Sequence, residues 1–286
     1  MGKKRMYSSN LCGYIPTNGE AKILDVAPRF IEMGYDGFDF QFQNYPKDIS
    51  FELPFSFFTE LDRRLRAVGG CVSAVVGVDF NVANVDECVK WFRDAMYLAD
   101  LYRTRRINLV PRKYGVSKAQ AWEGMDRIWE IVGKELFDNG FIVGIENHFS
   151  DPDGDKDFYF IHNGEDLMEV GHRYGGAIRL KFDPAWIIRC GQDPLEWLPK
   201  CLPYCDMVDC KDARRYPDGT SAFVTPGTGQ VDHRAINEIL NKANRRFDMG
   251  VEIEQHFFEE PKYADIENID RLHVEALQYY KPIFGE

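Results

Sequence analysis

Apolar and polar positions along the chain follow two periods in turn. Short runs that are β-branched or strictly alternating give way to longer segments in which apolar residues recur every three to four positions. The first run, Arg5 to Tyr14, leads into a helical segment from about Ala21 to Met33 that closes at Gly34. Gly37-Phe38-Asp39-Phe40-Gln41-Phe42 alternates cleanly, and a helix from Phe55 to Val68 stops at Gly69-Gly70. Cys71 to Val78 is small and β-branched, which suits a buried strand. Asn84 with Glu87 reads as the N-cap of a helix from Val85 to Leu101, and Arg106 to Val110 is a fourth strand stopped by Pro111. Ser117 with Gln120 predicts a capping box for a long helix ending near Asn139-Gly140. The fifth strand is Phe141 to Asn147, the next helix runs from Asn163 to Tyr174, and the sixth strand is Ala177 to Phe182. Asp193-Pro194 supplies an N-cap and a first-turn proline for a short helix. Met207 to Lys211 is the seventh strand, Asp232 caps a helix to Ala243, Met249 to Glu254 is the eighth strand, and a helix from Ile266 to Tyr280 ends the series.

Eight strand–helix pairs in succession predict an α/β protein whose parallel sheet closes as a (β/α)8 TIM barrel. An open doubly wound sheet is the alternative, but no Gly-x-Gly-x-x-Gly follows the first strand. No linker divides the chain, so residues 1–286 read as one domain. That length agrees with the ~250 residues such a barrel takes.

Composition excludes several classes. Hydrophobic residues are 44% and charged residues 28%, as in ordinary globular proteins. No apolar run approaches the ~20 residues of a membrane helix. The net charge of −11 repels phosphate backbones and argues against nucleic-acid binding. Seven cysteines lack zinc-site spacing and read as free thiols of a reducing, cytoplasmic compartment. Met-Gly-Lys-Lys-Arg at the start has no apolar stretch behind it, so it is not a secretory signal, and Met6 breaks the myristoylation pattern.

In a barrel of this kind, chemistry sits at the C-terminal ends of the strands. Each of the last four predicted strands carries a carboxylate there: Glu146, Asp183, Asp209 and Glu254. Taken singly, any one is explained equally well as a helix cap or an ion-pair partner. Four converging on one mouth repel each other unless some stay protonated or a cation joins them. All-oxygen ligation suits Mg²⁺ or Mn²⁺. The imidazoles of His148 and His256, each two residues past a glutamate, widen the choice toward Co²⁺ or Zn²⁺.

Those residues stand in an ordered set of strings. Gly144-Ile145-Glu146-Asn147-His148 is followed by Phe182-Asp183-Pro184-Ala185-Trp186, Lys211-Asp212, Pro226-Gly227-Thr228-Gly229-Gln230-Val231-Asp232 and Ile253-Glu254, with Gly34-Tyr35-Asp36-Gly37-Phe38 ahead of them. The set resembles the xylose-isomerase-like TIM-barrel superfamily over nearly the whole chain. That superfamily includes sugar-phosphate isomerases, ketose 3-epimerases, inosose dehydratases and the endonuclease IV type of repair enzyme. The resemblance implies one divalent metal ion held by Glu146, Asp183, Asp209 and Glu254. The third position departs from the family, which commonly reads Val-His-x-Lys-Asp where this chain reads Val208-Asp209-Cys210-Lys211-Asp212. Either Asp209 ligates directly, which is the favoured reading, or His148 or His256 contributes, or the metal site is weakened; an aspartate there raises the negative charge and the preference for hard ions.

The resemblance further implies proton transfer at a carbon beside a carbonyl, with Glu146 and Glu254 acting on opposite faces of a sugar. His148 is an additional base candidate, Lys211 a candidate proton donor, and Trp186 and His256 candidate substrate-binding residues. For Lys211 a salt bridge inside the barrel, and for Trp186 ordinary packing, stand beside these roles. Glu252 shares the face of Glu254 and is expected deeper. The leading expectation is a metal-dependent isomerase or epimerase of a sugar, keto-sugar or polyol derivative. A lyase of the inosose-dehydratase kind stays open. So does a likeness to C-glycoside deglycosidase large subunits, which need a small partner subunit; aromatic residues near the mouth (Phe149, Phe158, Tyr159, Phe160, Phe257, Phe258) favour it. A homo-oligomer and a non-enzymatic binding barrel also remain open. The repair-endonuclease reading needs a histidine-rich trinuclear zinc site, which six histidines, two of them near strand ends, do not supply. Asp151 to Asp157 resembles a calcium loop only superficially, because its glycine is two positions early and His162 stands where a glutamate belongs.

Overall fold

The computed structural model describes residues 5–17, 22–41, 55–148, 159–255, 263 and 265–285. Eight parallel strands close into a barrel: β1 (Tyr7–Ser9), β2 (Gly37–Gln41), β3 (Val72–Asn81), β4 (Arg106–Arg112), β5 (Ile142–Glu146), β6 (Ile178–Phe182), β7 (Cys205–Cys210) and β10 (Asp248–Val251), with β10 pairing β1. A small antiparallel hairpin, β8 (Ala213–Arg215) and β9 (Ser221–Phe223), follows β7. The outer helices are α1 (Ile23–Glu32), α2 (Phe55–Ala67), α3 (Val85–Tyr102), α4 (Lys118–Asp138), α5 (Gly164–Tyr174), α6 (Pro184–Arg189), α7 (Pro194–Cys201), α8 (His233–Lys242) and α9 (Ile266–Phe284). All seven cysteines are free thiols, and no helix among the described residues is long and apolar enough to cross a membrane.

Several elements differ from the pattern in the sequence, each for a local reason. The first strand ends at Ser9 because the Asn10 side chain accepts from the Cys12 amide (2.9 Å), and Leu11–Thr17 winds into a 3₁₀ turn. β4 runs through Pro111 to Arg112, since the β3–β4 register shifts between Gly77 and Phe80 and the proline falls at that irregularity. Asn84 makes no capping bond; its amide reaches Glu87 instead (2.9 Å). The Ser117/Gln120 capping box forms, and Asn163, Asp193, Asp232 and Asp265 cap their helices.

The strand faces are inverted relative to a half-solvated sheet. On β6, Ile178, Leu180 and Phe182 pack outward against the helices, while Lys181 reaches carboxylates inside the barrel. The base is closed by Arg106, whose guanidinium pairs with Asp206 (3.0 Å) and Asp248 (3.4 Å). Above it, buried Asp39 accepts from Ser8 (3.0 Å) and Ser73 (2.6 Å). This polar interior leads upward to the C-terminal mouth.

The connection after the hairpin is held by one carboxylate. Buried Asp212 accepts from the amides of Gly227 (2.9 Å), Gly229 (2.8 Å) and Val231 (3.2 Å). A Cβ on Gly229 would lie 2.1 Å from Asp212 Oδ1, so this close approach requires glycine. Asp212→Ala is therefore expected to cost about 3 kcal/mol or more, because it strands several buried amides at once. Asp232→Ala, which removes one exposed cap, is expected to cost about 1 kcal/mol. Urea denaturation of the two variants checks the difference; equal losses would mean that Asp212 does not hold the loop.

Candidate active site

Five carboxylates and two ammonium groups meet at the mouth. Glu146 ends β5, Asp183 follows β6, Asp209 lies on β7, and Glu252 and Glu254 follow β10. All five are buried, as are Lys181 on β6 and Lys211 just past β7. Oxygens of Glu146, Asp183, Asp209 and Glu252 can all lie within 4.8 Å of one another. Lys181 Nζ stands 2.5 Å from Glu146, 2.8 Å from Glu252 and 3.1 Å from Asp209. Lys211 Nζ is 2.8 Å from each of Asp183, Glu252 and Glu254. Register sets these meetings, since Glu146 pairs with Lys181 across β5–β6 and Asp209 with Gly250 across β7–β10. Gly250 leaves room for the aspartate: a Cβ there would lie 2.2 Å from Asp209 Oδ1.

Asp183 serves two purposes. Its Oδ1 caps α6 by accepting from Ala185 (2.8 Å) and Trp186 (3.1 Å), and its Oδ2 faces Lys211. The Asn147 side chain accepts from the Asp183 amide (3.0 Å) and donates to its carbonyl (3.0 Å), fixing the strand end. Asn10 donates to Glu252 (3.0 Å).

Five carboxylates against two ammonium groups leave an excess of three negative charges if all are ionised. Burial pushes the Glu146 carboxyl up to about 8, against the pull of Lys181. Burial likewise raises Asp209 well above the ordinary range and raises Glu254. Glu252 differs: burial raises it, but Lys181 and Lys211 outweigh burial and hold it well below the ordinary range. Burial opposes the charge on both lysines, yet Asp209 and Glu146 around Lys181, and Asp183 and Glu252 around Lys211, hold the ammonium forms. Buried Glu146 Oε1, Asp183 Oδ2 and both Asp209 oxygens accept no well-formed hydrogen bond. Carboxylate oxygens in so small a space, faced by lysine ammonium groups but by no well-formed hydrogen bond, fit a hard divalent cation. The buried acidic cluster could thus bind a metal ion.

His148 lies beside the cluster, with Nε2 3.5 Å from Glu146 Oε1. Its ring is sandwiched between Trp186 (4.1 Å between centroids) and Tyr159 (4.5 Å). Burial first, then Lys211, lowers its pKa well below the ordinary value, so it is a neutral imidazole. Trp186 is buried and meets Phe223 edge-on (4.7 Å), extending an aromatic wall from Tyr159 to the hairpin.

The structure therefore brings Glu146, Asp183, Asp209, His148, Lys211 and Trp186 to one place. It draws Glu252 rather than Glu254 into the tight oxygen cluster, and Glu254 sits at its edge on Lys211. His256, Phe149, Phe158, Phe257, Phe258 and the Asp151–Asp157 segment lie outside the described residues. Lys181 escaped sequence reasoning, although Arg179 and Lys181 alternating with apolar residues on a strand expected to be buried on both faces was its signal.

The family profile described as a xylose isomerase-like TIM barrel matches residues 29–278. Among solved structures, the chain is similar to D-psicose 3-epimerase from Clostridium cellulolyticum H10 with D-tagatose (12% identity, TM-score 0.76, covering 98% of this chain and 100% of the other). It is also similar to the IOLI protein with a bound zinc atom (16%, 0.73, 98% and 100%) and to 3-keto-D-glucoside 4-epimerase YcjR from E. coli (13%, 0.68, 98% and 100%). At these identities the likeness establishes the fold. No curated protein matches the sequence.

A carboxyl whose folded pKa lies above its unfolded value keeps a proton that the unfolded chain has already lost. Between the ordinary value of 4.5 and about 8, Glu146 therefore makes stability fall as pH rises. Asp209 acts in the same direction, while the stabilising share of Glu252 is complete above its unfolded value. The lowered imidazole of His148 acts in the opposite sense below its ordinary value of 6.5, so in chelator the melting temperature is expected to drop between pH 6.5 and about 8, and Glu146→Gln should flatten that slope. A wild-type melting temperature that rises with pH between 6.5 and about 8 would contradict the burial of Glu146 and Asp209.

Proposed function

This chain belongs to the xylose isomerase-like TIM-barrel family, and on that premise we propose that it is a divalent-metal-dependent isomerase or epimerase of a sugar, keto-sugar or polyol derivative. The observation that carries this reading is the buried all-carboxylate cluster with a neutral imidazole at its edge. Glu146, Asp183, Asp209 and Glu252 form the proposed ligand set by geometry, with Glu254 in place of Glu252 by motif position. Mn²⁺ or Mg²⁺ suits such a set, with Co²⁺ or Zn²⁺ next. When bound, the ion would lower the cost of removing a proton beside a carbonyl.

The protein's own groups supply the rest. His148, neutral and held between two rings, takes the proton at Nε2, the nitrogen facing Glu146. Glu254, held by Lys211, is the proposed group that exchanges a proton on the opposite face. Lys211 steadies negative charge on a substrate oxygen. Trp186 and Tyr159 wall the site. Epimerases of the same fold support the reaction class. A lyase reading retains one specific support, a single imidazole base packed against an aromatic wall. One base suffices for elimination, with an aromatic leaving group against Trp186 and Phe223.

Metal-loaded protein incubated with a panel of keto-sugars in deuterated water should place deuterium at the carbon beside the carbonyl; release of a leaving group would select the lyase. No exchange and no elimination on any of them would overturn both readings. His148→Ala should lower turnover ~10²–10⁴-fold with metal content unchanged, and unchanged turnover would remove His148 from the chemistry. Asp183→Asn and Asp209→Asn should lose the ion by elemental analysis. Chelation of the wild type should lower its melting temperature, since a ligand of the folded state alone stabilises it.

A further inference from the structure

Lys181 is the group at the mouth that the proposed reaction does not use. It rises from the middle of β6 two residues before Asp183, and its ammonium contacts three of the four members of the oxygen cluster. Its side chain is 3% exposed. Lys211 is placed differently. One of its three partners, Glu254, lies outside the cluster, and its ammonium also rests over the Phe223 ring at 4.8 Å. Lys211 thus has a seat at the edge, whereas every ion-pair partner of Lys181 belongs to the cluster.

We propose that the Lys181 ammonium is a built-in occupant of the carboxylate cluster that an incoming divalent ion must displace, so that this one side chain sets how tightly the ion is held. The inference rests on the metal reading above. Lone pairs of Glu146, Glu252 and Asp209 that close on the ammonium are those an ion would recruit, and two cations cannot share them at contact distance without strong repulsion. The displaced ammonium has a buried carboxyl group to retreat to. Asp39 lies deeper in the barrel, fully buried between Ser8 and Ser73, and Lys181 already acts on it electrostatically. A site so arranged holds its carboxylates together without an ion and yields them to one at a cost in affinity.

Calorimetric titration of Mn²⁺ into the chelator-treated full chain, with Lys181→Met and Lys181→Gln beside it, reads this directly. Both variants should bind at least tenfold more tightly than the wild type. A Mn²⁺-soaked crystal of the wild type should show Nζ withdrawn from Glu146 and Asp209. Equal or weaker binding in the variants, or an ion seated while Lys181 still touches Glu146, Asp209 and Glu252, overturns the inference and leaves the metal reading standing. No Mn²⁺ binding by any of the three proteins overturns both. Should neither variant fold, the soaked wild-type crystal decides alone.

Discussion

Burying five carboxylates within reach of one another is the constraint around which the upper half of this barrel is organised. Each ionised carboxylate removed from water carries a penalty of several kcal/mol, repaid only where opposite charge and hydrogen bonds close around it. Two lysines meet part of that demand. Lys181 and Lys211 each bind three carboxylates, and Glu252 touches both. Glu252 is accordingly the carboxylate held most firmly ionised, while Glu146, Asp209 and Glu254 are pushed toward their protonated forms. The remaining imbalance is what makes the mouth receptive to a cation.

The same demand explains residue choices that look arbitrary one at a time. Gly250 is needed because Asp209 fills the space of its absent side chain. Asn10, just past the first strand, donates to Glu252, and Asn147 ties the ends of β5 and β6 together through the Asp183 backbone. Asp183 can be both a helix cap and a cluster member because Pro184 starts α6 at once, leaving one oxygen for the helix and one for Lys211. A helix cap and a site residue are often weighed as alternatives; here one side chain is both.

The barrel itself was legible because each βα unit announces itself by a change of period, and glycines and caps punctuate the units. Elements set by tertiary contact were not. Pro111 reads as a strand stop, yet it sits harmlessly at a register shift that pairing sequences alone do not reveal. The hairpin of β8 and β9 carries no alternating signal, and its order comes from Asp212 gathering a distant loop. At the site, strand-end position and motif order pointed to Glu146, Asp183, Asp209, His148, Lys211 and Trp186, which the fold does gather. The choice between Glu252 and Glu254 turns on where β10 ends and on how far each glutamate reaches toward two lysines, and neither quantity is written in the spacing. Lys181 stayed hidden because period two places it correctly inside the barrel, where a lysine finds no reason until its three partners are in view.

Lys181 also bears on how such a mouth can fold. If the carboxylates depended on an ion from the start, the barrel would have to close around a cation that must be captured while the strand ends are still forming. With two lysines in the chain, closure brings its own positive charge: strand pairing that sets Glu146 beside Lys181 and β10 beside β7 assembles the ion pairs in the same step. Stability and ion affinity are then set by different features, the first by register and the second by how readily one ammonium gives way. A histidine at position 209 would have removed one negative charge and with it part of the reason for a lysine in the cluster. The aspartate on β7 and the lysine on β6 are two halves of one electrostatic arrangement, and neither is intelligible without the other.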